Sequence, residues 1–275
     1  MKNLLYLLFA ITLLGCSSNE DSDDINTNGS DDINTNGSDD GQTGKKLLVK
    51  SISWTRVGGG YSSSGSEIFT YDGNKILQVL ETSRNTKKKF IYTNNLISKI
   101  HSFNDQQELV IQTSLDYDDS GRLIYIEASI RGRIEYSASL VYNSSNTEVT
   151  YSATETSRPT HKTVFKLNKG SIVSFEDSDG DKGRLSYDNN HNLFKNIIGS
   201  SAVWDIWFSF SNELEYQFGS ENNLLLIENK KELLTYEYDY NDEGYPRNIL
   251  LNEVYYNTEF IGTESYLMSV KIEYY

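Results

Sequence analysis

The sequence predicts an all-β domain, an antiparallel meander of repeated hairpins forming a curled sheet or barrel-like body, and three observations carry that prediction. Between residues 45 and 275, β-branched and aromatic residues alternate with polar ones at a period of two, the spacing of strands with one covered face. Clusters of Asp, Asn, Ser and Gly recur between these runs as turn signals. No stretch after Leu14 shows a helical apolar face, and the only two prolines, Pro159 and Pro246, sit at turns.

Residues 1–15 read as an export signal. Lys2 supplies the positive start, and residues 4–14 form an apolar run too short to span a bilayer as a helix. Leu13, Leu14, Gly15 and Cys16 follow. This stretch resembles the lipobox of bacterial lipoproteins, and the resemblance implies that Cys16 carries a diacylglycerol and becomes the acylated N-terminus after cleavage. Two or three acyl chains exceed what stable membrane association requires. Cys16 is the chain's only cysteine, so disulfides are excluded and stability must come from burial.

Residues 16–44 read as the lipidated cysteine plus an acidic tether. From residue 17 to 44 there are eight acidic and no basic side chains, and residues 23–30 and 31–38 both spell DDINTNGS. So few apolar groups cannot offset the entropy of ordering, which predicts disorder. Ser17 stands where an aspartate suggests inner-membrane retention, which favours the outer membrane. Residues 18–24 resemble the acidic export signal that places many Bacteroidota lipoproteins on the cell surface. Asp24, Asn26, Asn28 and Gly29 match the start of a calcium loop, but Thr35 stands where a bidentate Glu is needed, so no metal is expected. Asp177, Asp179 and Asp181 around Gly180 read as a hairpin turn.

Residues 45–275 read as one domain, ample for a sizeable core. Their 24 basic and 31 acidic residues give a net charge of −7, which argues against nucleic acid as a partner. The repeating unit is an apolar-x-aromatic strand, a polar turn and a second apolar strand. Phe69 and Tyr71 lead to Ile76, Leu77 and Val79; Phe90 and Tyr92 lead to Leu96, Ile97 and Ile100. Leu115 and Tyr117 lead to Leu123 and Ile126; Leu140 and Tyr142 lead to Val149 and Tyr151. The same grammar recurs at 165–175, 185–197, 216–227 and 238–249, which predicts roughly sixteen strands joined as local hairpins. A strand-end tyrosine packs its ring on cross-strand neighbours while its hydroxyl reaches the rim, so a column of them stitches hairpins together.

Units such as Tyr117-Asp-Asp-Ser-Gly-Arg-Leu123 and Tyr187-Asp-Asn-Asn-His-Asn-Leu193 resemble the YD repeats of RHS-type proteins. The stretch from Tyr236 through Tyr238, Tyr240 and Gly244 to Pro246 is similar to a Bacteroidota lipoprotein family of unknown function, described as having a porin-like fold. That resemblance implies a β architecture and an envelope location, and brings no catalytic residue with it. Two arrangements satisfy the pattern. A transmembrane barrel suits the strand count and the alternation of Tyr266, Met268, Val270, Ile272 and Tyr274. A water-exposed curled sheet or barrel suits the polar faces, such as Glu135, Ser137 and Ser139 opposite Tyr136, Ala138 and Leu140. The lipid anchor makes a second insertion device redundant and favours the latter.

Chemistry is sparse. No nucleophile, metalloprotease, P-loop or dinucleotide motif occurs, so no catalytic residue, cofactor or metal is assigned. His101, His161 and His191 fall in different repeats. The best binding candidate lies between Trp204 and Phe210, where alternation puts Trp204, Ile206, Phe208 and Phe210 on one face. Asp205 and Trp207 share the other, where the indole either packs under a neighbouring loop or, beside the carboxylate, offers a sugar-stacking platform. The expectation is a lipid-anchored, non-enzymatic envelope module that binds a glycan or a protein partner, or is structural. The alternatives are a polysaccharide hydrolase, which needs two suitably spaced carboxylates, and a membrane-inserted barrel.

Overall fold

The computed structural model describes residues 46–156, 158–200, 220–257 and 262–275. Cys16, the acidic tether with its repeated octapeptide, and the segment holding Trp204, Asp205 and Trp207 lie outside the described residues.

Sixteen strands occur among the described residues. They are β1 (Val49–Gly58), β2 (Tyr61–Asp72), β3 (Lys75–Glu81), β4 (Thr86–Thr93), β5 (Leu96–Phe103), β6 (Leu109–Tyr117), β7 (Leu123–Ile130) and β8 (Arg133–Tyr142). There follow β9 (Glu148–Glu155), β10 (Arg158–Asn168), β11 (Ser171–Asp177), β12 (Lys182–His191), β13 (Asn222–Asn229), β14 (Glu232–Tyr240), β15 (Pro246–Asn257) and β16 (Gly262–Tyr274). Each pairs antiparallel with its sequence neighbours, and β16 returns to β1 and closes the barrel. The meander read from the sequence is therefore complete and has no free edge to cover.

Alternation decides which face each residue takes. On β15, Ile249 and Leu251 are 1% and 0% exposed, whereas Leu250 between them is 38% exposed. The covered residues form one cluster running from Val49 on β1 to Ile272 on β16. Barrels of sixteen strands are wide enough to hold an aqueous channel. Here the inner face is mostly apolar, while the outer face alternates Ser, Thr, Lys and Glu with scattered apolar residues.

Turn chemistry follows from the residues at hand. Gly59-Gly60, Asn94-Asn95, Arg131-Gly132 and Lys169-Gly170 are two-residue turns with both φ angles positive, which matches the twist of the flanking strands. Longer turns are closed by their first side chain. Asp118 Oδ1 accepts the backbone N–H groups of Ser120 and Arg122, and Asn241 Oδ1 those of Glu243 and Tyr245. Asp177 does the same for Asp179 and Asp181, while the Asp181 carboxylate pairs with Lys230 and Lys231. The three carboxylates therefore serve a turn and an ion pair.

The recurring tyrosines have a shared role. In six strand pairings the ladder slips by one residue just before the anchor, at Tyr71, Tyr92, Tyr117, Leu167, Tyr187 and Tyr240. Such a bulge twists the strand and disturbs the local backbone pairing. A tyrosine on the following strand then bonds to the backbone there. Tyr117 Oη donates to the Ile97 carbonyl at 2.6 Å, Tyr187 to Ile172 at 2.9 Å, Tyr238 to Leu224 at 2.6 Å and Tyr274 to Pro246 at 2.7 Å. Tyr92 Oη accepts the Ile76 N–H at 3.1 Å. Burial pushes the phenols of Tyr92, Tyr117, Tyr187 and Tyr274 above their ordinary value, so they stay protonated. Tyr117→Phe keeps the ring but strands the Ile97 carbonyl. It is expected to cost about 1–2 kcal/mol in urea denaturation, with little change in near-UV signal from the rest of the barrel.

One predicted unit is different. Residues 185–197 do not form a hairpin: β12 ends at His191, and residues 192–200 fold back across the end of the barrel where the anchor tyrosines sit. Leu193, Phe194 and Ile197 are buried there, with the Phe194 ring centroid 6.1 Å from that of Phe69. The Ile198 N–H donates to the Asn74 carbonyl at 2.9 Å, and Asn196 Nδ2 donates to the Leu47 carbonyl and Tyr245 Oη, both at 2.8 Å. Gly199, at φ +79°, comes so close to the β4–β5 turn that a Cβ would lie 2.9 Å from the Asn95 carbonyl oxygen. The apolar spacing Leu193, Phe194, Ile197, Ile198 departs from period two because these residues cap a barrel end and do not build its wall.

Candidate functional site

The end opposite this cap carries the ionisable part of the interior. On β1, Ile52, Trp54 and Arg56 point inward in succession, and the wall changes from apolar to charged as it nears the Gly59-Gly60 turn. Arg56 pairs with Glu253 of β15, whose side chain is fully buried, and its guanidinium lies 4.5 Å from the centroid of the Tyr266 ring. Tyr255 Oη donates to Glu253 Oε2 at 2.9 Å, and Glu253 Oε1 has no hydrogen-bond partner. Burial raises the Glu253 carboxyl above its ordinary value, while Arg56 and Tyr255 pull it back.

Beside this pair, Trp54 lies flat across Gly65 of β2, where a Cβ would come within 2.6 Å of the indole. Two residues along the same face stands Glu67, 3% exposed, with one carboxylate oxygen unpartnered. Burial raises its carboxyl well above the ordinary 4.5; Lys88 opposes the shift and Glu81, its cross-strand neighbour, adds to it. Glu67 and Glu81 stand opposite one another in the ladder; Glu67 is enclosed by the wall, and the Glu81 carboxylate accepts the hydroxyls of Ser83 and Thr86 at 3.0 and 3.1 Å.

The histidines are not brought together. His101 faces outward on β5, His161 bonds Thr163 and Ser178 at 3.2 and 3.3 Å, and His191 at the end of β12 contacts Lys195 and the Tyr245 ring. Among the described residues no group of three His, Cys, Asp or Glu side chains is placed to hold a metal ion. Sequence reasoning missed Arg56, Glu67 and Glu253. The available signal was phase: each is a charged residue at an inward position of an otherwise apolar face, in step with Ile52, Phe69 and Leu251.

No family model and no curated protein matches the chain. Among solved structures, a porin-like protein from Bacteroides uniformis is similar at 9% identity and a TM-score of 0.42, over 82% of this chain and 96% of that one. A porin-like protein from Bacteroides vulgatus is similar at 13% identity and a TM-score of 0.45, over 84% and 99% respectively. The likeness of residues 45–275 to YD repeats and to a lipoprotein family rests on the sequence motifs alone.

Proposed function

We propose that this protein is a lipid-anchored component of the bacterial outer membrane, displayed at the cell surface, whose barrel stands in water as a non-enzymatic binding or structural module for a glycan or an envelope protein. The observation that carries the reading is the inversion of polarity across the barrel wall. The inside is a packed apolar core, and the outside bears Lys89, Lys99, Lys162, Arg184, Glu237 and Lys271 at different heights along the strands. A lysine or arginine facing lipid at the bilayer midplane costs about 2–4 kcal/mol, so a wall studded with them resists insertion. Attachment then falls to the lipobox cysteine, and the acidic tether sets the barrel away from the bilayer.

Cell fractionation of a Cys16→Ser variant tests this directly. The variant is expected in the soluble fraction, the unmodified protein in the membrane fraction, and protease added to intact cells is expected to cleave the latter. A Cys16→Ser chain that stays in membranes through an alkaline wash even after removal of residues 1–15 would mean that the barrel itself inserts, and would overturn the reading.

A further inference from the structure

Four basic residues of the outer wall have an acidic partner within reach, three across the ladder and one along its own strand. Lys182 pairs with Glu176 at 3.1 Å, Arg184 with Glu228 at 2.5 Å, Arg247 with Asp239 at 2.7 Å and Lys271 with Glu273 at 3.6 Å. Strands β4 and β5 bring three lysines without such a partner side by side. Phe90 and Ile100 point into the core, which turns Lys87, Lys89, Lys99, His101 and Phe103 outward. In register, Lys87 stands opposite Phe103, Lys89 opposite His101 and Ile91 opposite Lys99. None of the three lysines has a carboxylate partner among the described residues.

The flanking strands leave the charge uncompensated. β3 places Gln78 beside Lys89 and Leu80 beside Lys87, and β6 places Gln112 beside His101 and Ser114 beside Lys99. The acids of the next turn, Asp105 and Glu108, lie beyond Phe103, and Glu108 is engaged with Asn104. Neighbouring like charges on a sheet repel, so three unmatched ammonium groups within two strands stand out in a domain that is otherwise net acidic. Two of them share one ring: Lys87 Nζ lies 5.1 Å and Lys89 Nζ 5.5 Å from the Phe103 centroid, an arrangement that holds both in place. Lysines bind anionic oxygens as point charges and accept varied geometry. Successive outward residues on one strand are about 7 Å apart, so the three charges form a line down the wall, shaped for a chain of anions. A flat bilayer meets a convex wall along only a strip. Three lysines near an anionic surface contribute too little there to hold a barrel down without the lipid.

We propose that the outer face of β4 and β5 is a docking surface for a linear anionic polysaccharide, with its carboxylate or sulfate groups taken by Lys87, Lys89 and Lys99 and a sugar face laid against Phe103. This deepens the binding-module reading above and names its ligand class; it does not depend on the lipid anchor.

The test uses the full chain in neutral detergent, with a polyuronate such as alginate and sulfated dextran as probes, uncharged dextran as control, and vesicles of phosphatidylglycerol as the competing partner. The Lys87→Gln/Lys89→Gln/Lys99→Gln variant is compared with Lys166→Gln/Lys182→Gln/Lys271→Gln, which removes the same net charge elsewhere on the wall. The expected result is binding of at least one anionic polysaccharide, weakened tenfold or more in the first variant and less than twofold in the second. Phe103→Leu is expected to weaken it severalfold while leaving the melting transition in place. Equal losses in the two triple variants would reduce the effect to net charge and overturn the proposal. Failure to bind either anionic probe at low salt, or tighter retention on the vesicles than on both polysaccharides, would also overturn it. Each of these failures is separate from the Cys16→Ser result, which bears on anchoring alone.

Discussion

Phe194→Ala is expected to lower the free energy of unfolding by about 3–5 kcal/mol, as removal of a buried phenylalanine from a packed site does. The ring is 1% exposed and rests on Phe69, a fully buried residue of β2, so its loss leaves a void at the point where the cap meets the wall. The segment is otherwise held by a few polar contacts: Asn192 Oδ1 accepts the Phe194 N–H at 2.8 Å, Ser200 Oγ donates to the Phe194 carbonyl at 3.1 Å, and Asn196 reaches Leu47. The first two of these bonds are buried but close the segment on itself, so the apolar side chains carry most of its attachment to the barrel. The variant is therefore expected to loosen the cap before it loosens the barrel. Amide exchange at Ile198 should accelerate more than exchange at Ile249 or Leu251, alongside the shift in urea midpoint. A loss under about 1 kcal/mol, with Ile198 as protected as before, would show that the cap rests on the barrel without closing it.

Much of this architecture was legible in the residues. The wall follows from alternation: Phe69, Phe90, Leu115 and Leu140 were readable as inward positions, and all four are buried. The sixteen strands follow from counting hairpins, because local connections make topology and sequence order the same thing. Closure was not legible, since it depends on the pairing of β1 with β16, two strands more than two hundred residues apart with no local signature of contact. The cap was misread as one more hairpin because Leu185 and Tyr187 begin with the right grammar, and only the i, i+1, i+4, i+5 spacing of Leu193, Phe194, Ile197 and Ile198 betrays the change. The lysine row was visible as residues 87–89, but a run of three hides the fact that Lys88 turns inward toward Glu67 while Lys87 and Lys89 share a ring contributed by another strand. The sites proposed at Cys16, Asp205 and Trp207 lie outside the described residues.

Arg56→Met is expected to destabilise the barrel by about 3–5 kcal/mol at neutral pH, because it leaves the Glu253 carboxylate buried without its cation. Glu253 has no exposure through which water can replace the guanidinium, and Tyr255 supplies one hydrogen bond to a group with capacity for several. The sign of the pH dependence separates this cause from lost packing on Tyr266. Burial already holds the Glu253 carboxyl above the ordinary 4.5, and Arg56 is the largest influence opposing that shift, so removing it drives the folded-state value higher still. A carboxyl raised in the folded state contributes stability that is complete below 4.5 and is lost as pH climbs through the folded-state value. The deficit of Arg56→Met should accordingly be small near pH 4.5 and grow toward neutrality, as read from urea midpoints of variant and parent at matched pH. Replacing both partners, Arg56→Met with Glu253→Met, removes the charge as well as its partner and is expected to restore stability to within about 1 kcal/mol of the parent or beyond it. A deficit that is the same at both ends of the pH range, or that persists in the double variant, would place the contribution of Arg56 in its contact with the Tyr266 ring instead of in its charge.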